Sequence, residues 1–226
     1  MKNRRRTGSY ARGEDTRRRI IETAMEVFAS HGYEGATTRV LARRARVTLP
    51  AIQYYFGSKE GLYRATVAHM VEHIETRMAP IVARVQAAIA DKTLPRRKLV
   101  ALLAEMLDAF VALVAEKDRS QCRRLFFARA ELETTAPLEA LHECARRQIV
   151  DPCAALIGRL TGQPAKDERT ILRTLAILGQ VTMFCNKGAR RTLGWSEVDD
   201  HHVEAIQALV RQHTAVIFRS IRGAKP

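Results

Sequence analysis

Between Thr48 and Lys59 the chain reads TLPAIQYYFGSK, directly after the arginine-dense run RVLARRARV. A glutamine, two tyrosines and a lysine within one short helical length suit one kind of chemistry, the non-covalent recognition of nucleic acid. A glutamine amide can bond the edge of adenine bidentately, and a phenol or an ammonium can bond a backbone phosphate. On a helix, the four-residue spacing turns Ile52 and Phe56 to one side, where they would close a small core with Phe28, Val40, Leu41 and Val47. Leu49, Pro50 and Gln53 then lie toward the opposite side, facing base edges. Tyr54 and Tyr55 fall at the margins, each with a ring to cover the domain and a hydroxyl for phosphate. Lys59, at the start of the next helix, is a compact positive charge for the same backbone.

The rest of the chain offers less chemistry. Cys122, Cys144, Cys153 and Cys185 form no C-x-x-C pair and are expected to be buried thiols in a reducing compartment. His69 and His73 are four apart and could face a metal from one side of a helix, but no third ligand stands at metal spacing. No metal site and no cofactor are expected. Nucleophile motifs and glycine-rich phosphate loops are missing from the sequence, so an enzyme is not expected.

Charge narrows the partners. The 226 residues include 38 Lys and Arg against 24 Asp and Glu, a net +14, with a sequence pI near 10.3. Such a balance points to a polyanion, either nucleic acid or an anionic membrane surface, and by itself does not choose between them. The longest apolar run, Leu99 to Ala115, contains Glu105 and Asp108 and is too short to span a bilayer. The basic N-terminus is not followed by an apolar segment suited to a signal peptide. No membrane partner and a cytoplasmic location are therefore expected.

These residues need helices to position them. Apolar positions recur at helical spacing almost throughout, and no alternating run bounded by turn residues suggests a strand. The expected fold is all-α: an N-terminal three-helix helix-turn-helix domain, then a larger C-terminal helical bundle. Residues 1–13 form a basic arm, which could reach DNA through Lys2, Arg4, Arg5, Arg6 and Arg12 or remain a solvated tail. Residues 14–60 form the DNA-binding domain, and residues 61–226 the bundle. The first helix carries Ile20, Ile21, Ala24, Val27 and Phe28, with Asp15 and Thr16 as caps and Gly32 where it must end. Thr38 is the expected cap of a second helix. A break at Arg46 to Thr48 leads to a third, with Thr48 as cap and Pro50 in its first turn, where the missing N–H is harmless. Two short helices across a tight turn are the helix-turn-helix pattern, whose second helix enters the major groove. Ser58 caps a fourth helix expected to end near Pro80. Further helices are expected over 96–116, from Arg119 to Glu133, from Pro137 to Leu160 with a kink at Pro152, from Glu168 to about Lys187, and over 201–219.

With TRRRIIETAMEVFASHGYEGATT, then LA, then V-T-x-P-A-I and YYF-x-SKEGLY, the first sixty residues resemble the DNA-binding domain of the TetR family of bacterial transcriptional regulators. The resemblance implies an all-helical homodimer with a C-terminal domain for dimerisation and ligand sensing. It implies phosphate contacts at Thr38, Tyr55 and Lys59 and base contacts at Arg39, Leu49 and Pro50. Two positions depart from the family. Arg46 stands where the turn normally carries glycine, so a left-handed conformation there costs about 1 kcal/mol and a slightly different turn is expected. Gln53 stands where a tyrosine is common, which removes that phosphate contact and bears on base preference. FFARAELETTAP, Gly179–Gln180 and RTLGW are similar to CecR-like members, which implies a repressor linked to drug sensitivity and efflux.

The partners expected on this reading are a double-stranded palindromic operator, a small-molecule inducer and a second copy of the chain. Candidate ligand contacts are Phe110, Phe126, Phe127, Met183 and Phe184, with Arg129, His142 and Gln180 as polar anchors; for each, ordinary core packing or a surface salt bridge is the competing role. The alternative function is a sequence-nonspecific, architectural DNA-coating protein, which the charge alone would serve.

Overall fold

Ile20, Ile21, Ala24, Val27 and Phe28 are all buried, as the apolar stripe requires. In the computed structural model, which describes residues 4–116, 120–130 and 136–220, they lie on α1 (Arg4–Gly35). Asp15 and Thr16 are inside this helix rather than capping it, and Arg18 reaches back to Asp15 at 3.2 Å to support the turn. The backbone of the basic arm is thus helical from Arg4 onward; Lys2 lies outside the described residues. Helical geometry ends at Gly32 (φ 72°, ψ 175°), a conformation that favours glycine.

Next come α2 (Thr38–Ala45), α3 (Leu49–Phe56) and α4 (Lys59–Ala90). Pro80 does not end α4. Its missing N–H leaves the Thr76 carbonyl without its helical donor, and both residues are exposed, where water can serve. Met78, Ile81, Val82, Val85 and Ala88 stay buried across it, so packing carries the helix past the proline.

The remaining elements are α5 (Arg96–Ala115), α6 (Ser120–Ala130), α7 (Ala136–Ala145), α8 (Asp151–Thr161), α9 (Glu168–Cys185), α10 (Lys187–Thr192) and α11 (Asp200–Ser220). Residues 131–133, where α6 was expected to continue, lie outside the described residues. At Pro152 the helix is continued rather than broken: α7 passes into α8 through a π-helical turn, Arg146–Val150, in which the Asp151 N–H donates to the Arg146 carbonyl. The wider turn just ahead of Pro152 relieves the clash its ring would make with the Gln148 carbonyl. No helix among the described residues is long and apolar enough to cross a membrane.

The chain divides into two compact units, one of Met1–Glu72 with Gln121–His142, the other of His73–Ser120 with Glu143–Pro226. In the first, Phe28, Leu41, Ile52, Leu62, Tyr63, Phe126, Leu138 and Leu141 are buried. In the second, α5 packs against α8, α9 and α11, burying Leu103, Met106, Leu107 and Val111 with Leu156, Ile157, Val181, Ile206 and Val210. Cys144 and Cys153 are buried there, and burial pushes the Cys153 thiol up to about 12. Cys122 is only half-buried.

Arginines fasten the helix ends of this second unit. Arg96, opening α5, donates to the Leu160 carbonyl and, at 2.9 Å, to the Phe218 carbonyl, so one side chain closes both α8 and α11. Residue 164, the normal helical donor to Leu160, is a proline. Arg159 donates to the carbonyls of Ala88 (2.6 Å) and Asp91 (2.9 Å), closing α4. Such bonds satisfy orphaned carbonyls and place a cation at the negative end of the helix. Arg96→Met keeps the aliphatic stem and loses both caps. Its unfolding free energy in urea is expected to fall by about 2–3 kcal/mol; an unchanged denaturation midpoint would show that the caps contribute nothing.

Candidate nucleic-acid interface

The second helix is capped by Thr37, not Thr38. Thr37 is extended (φ −82°, ψ 149°) and its side chain accepts from the Val40 N–H at 3.3 Å, making it the N-cap, while half-buried Thr38 is the first residue of α2. Leu41, Ala42 and Ala45 are buried under α2, and Arg39, Arg43, Arg44 and Arg46 are exposed along its outer side. At the turn, Arg46 does adopt the left-handed conformation (φ 53°, ψ 46°) despite its side chain. Two bonds hold it there: Arg46 N–H to the Arg43 carbonyl (3.2 Å) and Val47 N–H to the Ala42 carbonyl (3.0 Å). This is a Schellman closure, so the turn keeps the geometry that glycine would have allowed at less cost.

Thr48 precedes α3 in an extended conformation but makes no side-chain cap bond. Ile52 is buried at 2% exposure and anchors α3 as its spacing implied. Phe56, Val40 and Val47 are only half-buried. Phe56 ends an eight-residue helix at the rim of the core, where the Arg17 guanidinium covers its ring at 5.6 Å.

The outer face of α3 brings Leu49, Pro50, Gln53 and Tyr54 together around one shallow depression. Leu49 is 46% exposed and Tyr54 83%, and Gln53 and Pro50 are exposed as well. Tyr55 is half-buried with its ring edge-on to Tyr54 at 5.1 Å, and its hydroxyl lies close to Gly13 of α1.

Ser58 caps α4 as expected, its hydroxyl accepting from the Gly61 N–H at 3.0 Å. The Lys59 ammonium sits 4.3 Å above the Tyr33 ring and donates to the Glu34 carbonyl at 3.4 Å. Burial, with the nearby Glu60 and Glu34 carboxylates adding to it, raises the Tyr33 phenol above its ordinary value, so the ring stays neutral beneath the cation. An ammonium has three donors, and one of them goes to Glu34.

Tyr33 and Gly61 escaped the sequence reading as positioning residues. A Cβ on Gly61 would lie 2.0 Å from the Phe56 carbonyl oxygen, so α4 can begin this close to the end of α3 only without a side chain there. The signal was present: a glycine in the first turn of a helix, where helix propensity disfavours it.

The eight ligand candidates divide between the two units. Phe126, Phe127, Arg129 and His142 belong to the first and Phe110, Gln180, Met183 and Phe184 to the second. Phe126 packs on Tyr63 at 5.9 Å, Arg129 bonds the carbonyls of Ala29 and Ser30, and exposed His142 meets Phe127 edge-on at 6.2 Å. Phe110 is buried in the α5 core, Phe184 is half-buried, Met183 is exposed, and Gln180 Oε1 lies 3.0 Å from His213 Nδ1. His73 Nε2 lies 3.0 Å from Glu116. No three His, Cys, Asp or Glu side chains cluster to hold a metal among the described residues.

A capped helix-turn-helix, with arginines along one helix and an exposed amide and aromatic face on the next, defines a DNA-binding regulator. Residues 20–66 match the family model of bacterial regulatory proteins of the tetR family, and residues 95–221 match the C-terminal domain of the HTH-type transcriptional dual regulator CecR. The chain belongs to the TetR family of transcriptional regulators, with a C-terminal domain of the CecR type. It is 29% identical over 217 residues to the HTH-type transcriptional dual regulator CecR of Shigella flexneri, spanning 93% of this chain and 94% of that one. Over 182 residues it is 30% identical to the HTH-type transcriptional regulator BetI of Paraburkholderia xenovorans, spanning 71% and 90%. The fold is shared with a TetR-like transcriptional regulator from Rhodococcus sp. RHA1, with a TM-score of 0.60 at 19% identity over 92% of this chain and 97% of that one. These relatives are regulators, not enzymes.

Substitutions at the close approach of Gly61 and at the left-handed Arg46 should act in opposite directions. Gly61→Ala forces α3 and α4 apart and should lower stability by about 1–3 kcal/mol, whereas Arg46→Gly relieves the left-handed turn and should not lower it. Chemical denaturation of both variants checks this; a stable Gly61→Ala protein would contradict the close α3–α4 approach.

Proposed function

We propose that the chain is a homodimeric transcriptional repressor that leaves a palindromic operator when a small molecule binds its C-terminal domain. The observation that carries this is the outer face of α3: Leu49, Pro50, Gln53 and Tyr54 stand exposed together while Ile52 alone is buried beneath them. A helix held by one anchor, with an amide and an aromatic facing out, suits the reading of base edges. Thr38, Arg39, Tyr55 and Lys59 flank that face and are proposed to hold the DNA, Thr38, Tyr55 and Lys59 at phosphates and Arg39 at a base edge.

The proposed dimer face lies on α9 and α11. Leu172, Leu175, Met183 and Val216 are exposed large apolar residues. Leu172, Ala176, Gly179 and Met183 repeat at intervals of four, three and four, the spacing of a helix–helix seam. A Cβ on Gly179 would meet nothing within 4 Å, so another helix could approach closely. Leu178, Ile206 and Val210, on the same two helices, are buried within the unit and are left out of this face. Ligand release requires an inducer that binds the DNA-incompetent state more tightly than the competent one. Export genes are the proposed target class, on the strength of the likeness to CecR. The Shigella relative is named a dual regulator, which extends the proposal to activation at some promoters.

The coating alternative rested on net charge. Part of that charge is engaged inside the protein, at Arg96, Arg129 and Arg159. Selection of random genomic fragments by the purified protein at physiological salt separates the two readings. A repressor should enrich a palindrome with half-sites roughly 34–36 Å apart, while DNA without a shared site would favour coating. On the selected site, Lys59→Ala should weaken binding to all sequence variants and lower the salt slope by about one; an unchanged slope would remove Lys59 from the phosphate contacts.

A further inference from the structure

Arg129 of α6 donates from Nε to the Ala29 carbonyl at 2.6 Å and from Nη2 to the Ser30 carbonyl at 3.0 Å. Both carbonyls belong to the last turn of α1 before Gly32 leaves helical geometry, where a helix's final acceptors need partners from elsewhere. A planar guanidinium can fork across two adjacent carbonyls, and its charge suits the negative end of the helix. Nearby on the same helix, Phe126 packs on Tyr63, Tyr63 lies 4.9 Å from Tyr33, and Tyr33 carries the Lys59 ammonium on its ring. The Tyr33 carbonyl accepts from the Ala36 N–H at 3.3 Å, and Thr37 then caps α2.

We propose that Arg129 is a positioning residue for DNA binding. By closing the end of α1 it fixes where the chain breaks at Gly32, and the break sets both the Tyr33–Lys59 edge and the start of α2. This rests on the reading of the chain as an operator-binding regulator. Residues 121–142 fall within the segment that matches the CecR-type C-terminal domain, yet they are part of the compact unit that holds α2 and α3. The C-terminal domain sequence thus supplies a fastening inside the DNA-binding unit, and a displacement of α6 must break or drag these two bonds.

The test compares wild type, Arg129→Ala and Arg129→Lys by hydrogen exchange on the free protein and by fluorescence anisotropy on the selected operator duplex. Arg129→Ala should speed exchange across residues 29–37 and weaken operator binding about tenfold. Its salt slope should match wild type, because no phosphate contact is lost. Arg129→Lys keeps the charge and one donor to the carbonyls; it should recover part of both effects, and it carries the comparison if the alanine variant fails to fold. Unchanged exchange at 29–37, or unchanged affinity, would overturn the proposal. So would a salt slope smaller by about one, which would make Arg129 a phosphate ligand instead. A wild-type protein that selects no shared site fails the operator reading before any variant is made, and exchange then still decides whether Arg129 sets the end of α1.

Discussion

An arginine reaching across the fold to the C-terminal carbonyls of a distant helix is the interaction on which this structure most depends. Arg96, Arg129 and Arg159 each do so, over 64 to 122 residues of sequence. A chain built from helices must find partners for the last carbonyls of every helix. Local closures serve at some ends, such as the left-handed Arg46 turn after α2. Where an arginine serves instead, the same bonds that end one helix also fix it against another. The bonds to charged donors are the stronger kind, so helix termination and tertiary placement are one event. This gives the basic composition a structural meaning beside its electrostatic one.

The DNA-binding unit shows what such fixing accomplishes. Ile52 is the single fully buried residue of α3, so the helix cannot hold its own orientation by burial alone. Its angle is set at both ends: by the Arg46 turn, closed through two backbone bonds, and by Gly61, which lets α4 start against the Phe56 carbonyl. The cost of a non-glycine residue in the left-handed region is about 1–2 kcal/mol, comparable to the two hydrogen bonds that hold it. The outcome is a face on which Gln53 and Tyr54 are displayed by their surroundings rather than by their own contacts with the core.

Much of this was legible in the sequence where the signal is local. The stripe of α1, the glycine break at 32, the Ser58 cap and the inward side of α3 at Ile52 all follow from spacing and residue type. The first-helix start and the α2 cap were misplaced because neighbouring residues, Asp15 with Thr16 and Thr37 with Thr38, are chemically able to cap and only the backbone decides between them. Pro80 was read as a helix end and Pro152 as a kink, since proline removes a helical bond. At 80 the burial of Met78, Ile81 and Val82 outweighs that loss, and at 152 a wider turn absorbs it. The membership of α6 in the DNA-binding unit had no local signature. Phe126 and Arg129 look like any apolar and basic pair on a helix, and only folding shows that their partners are Tyr63 and the end of α1.

The central claim is that the outer face of α3 lies against base edges in the major groove. The most direct measurement places 5-iodouracil at the thymines of the selected DNA site, irradiates the complex and maps the cross-linked residues by mass spectrometry. The iodine occupies the position of the thymine methyl in the major groove, and Tyr54, 83% exposed on α3, is the aromatic presented to it. The account predicts cross-links to Tyr54 at matching thymines in both half-sites. Cross-links found only outside α2 and α3 would contradict it.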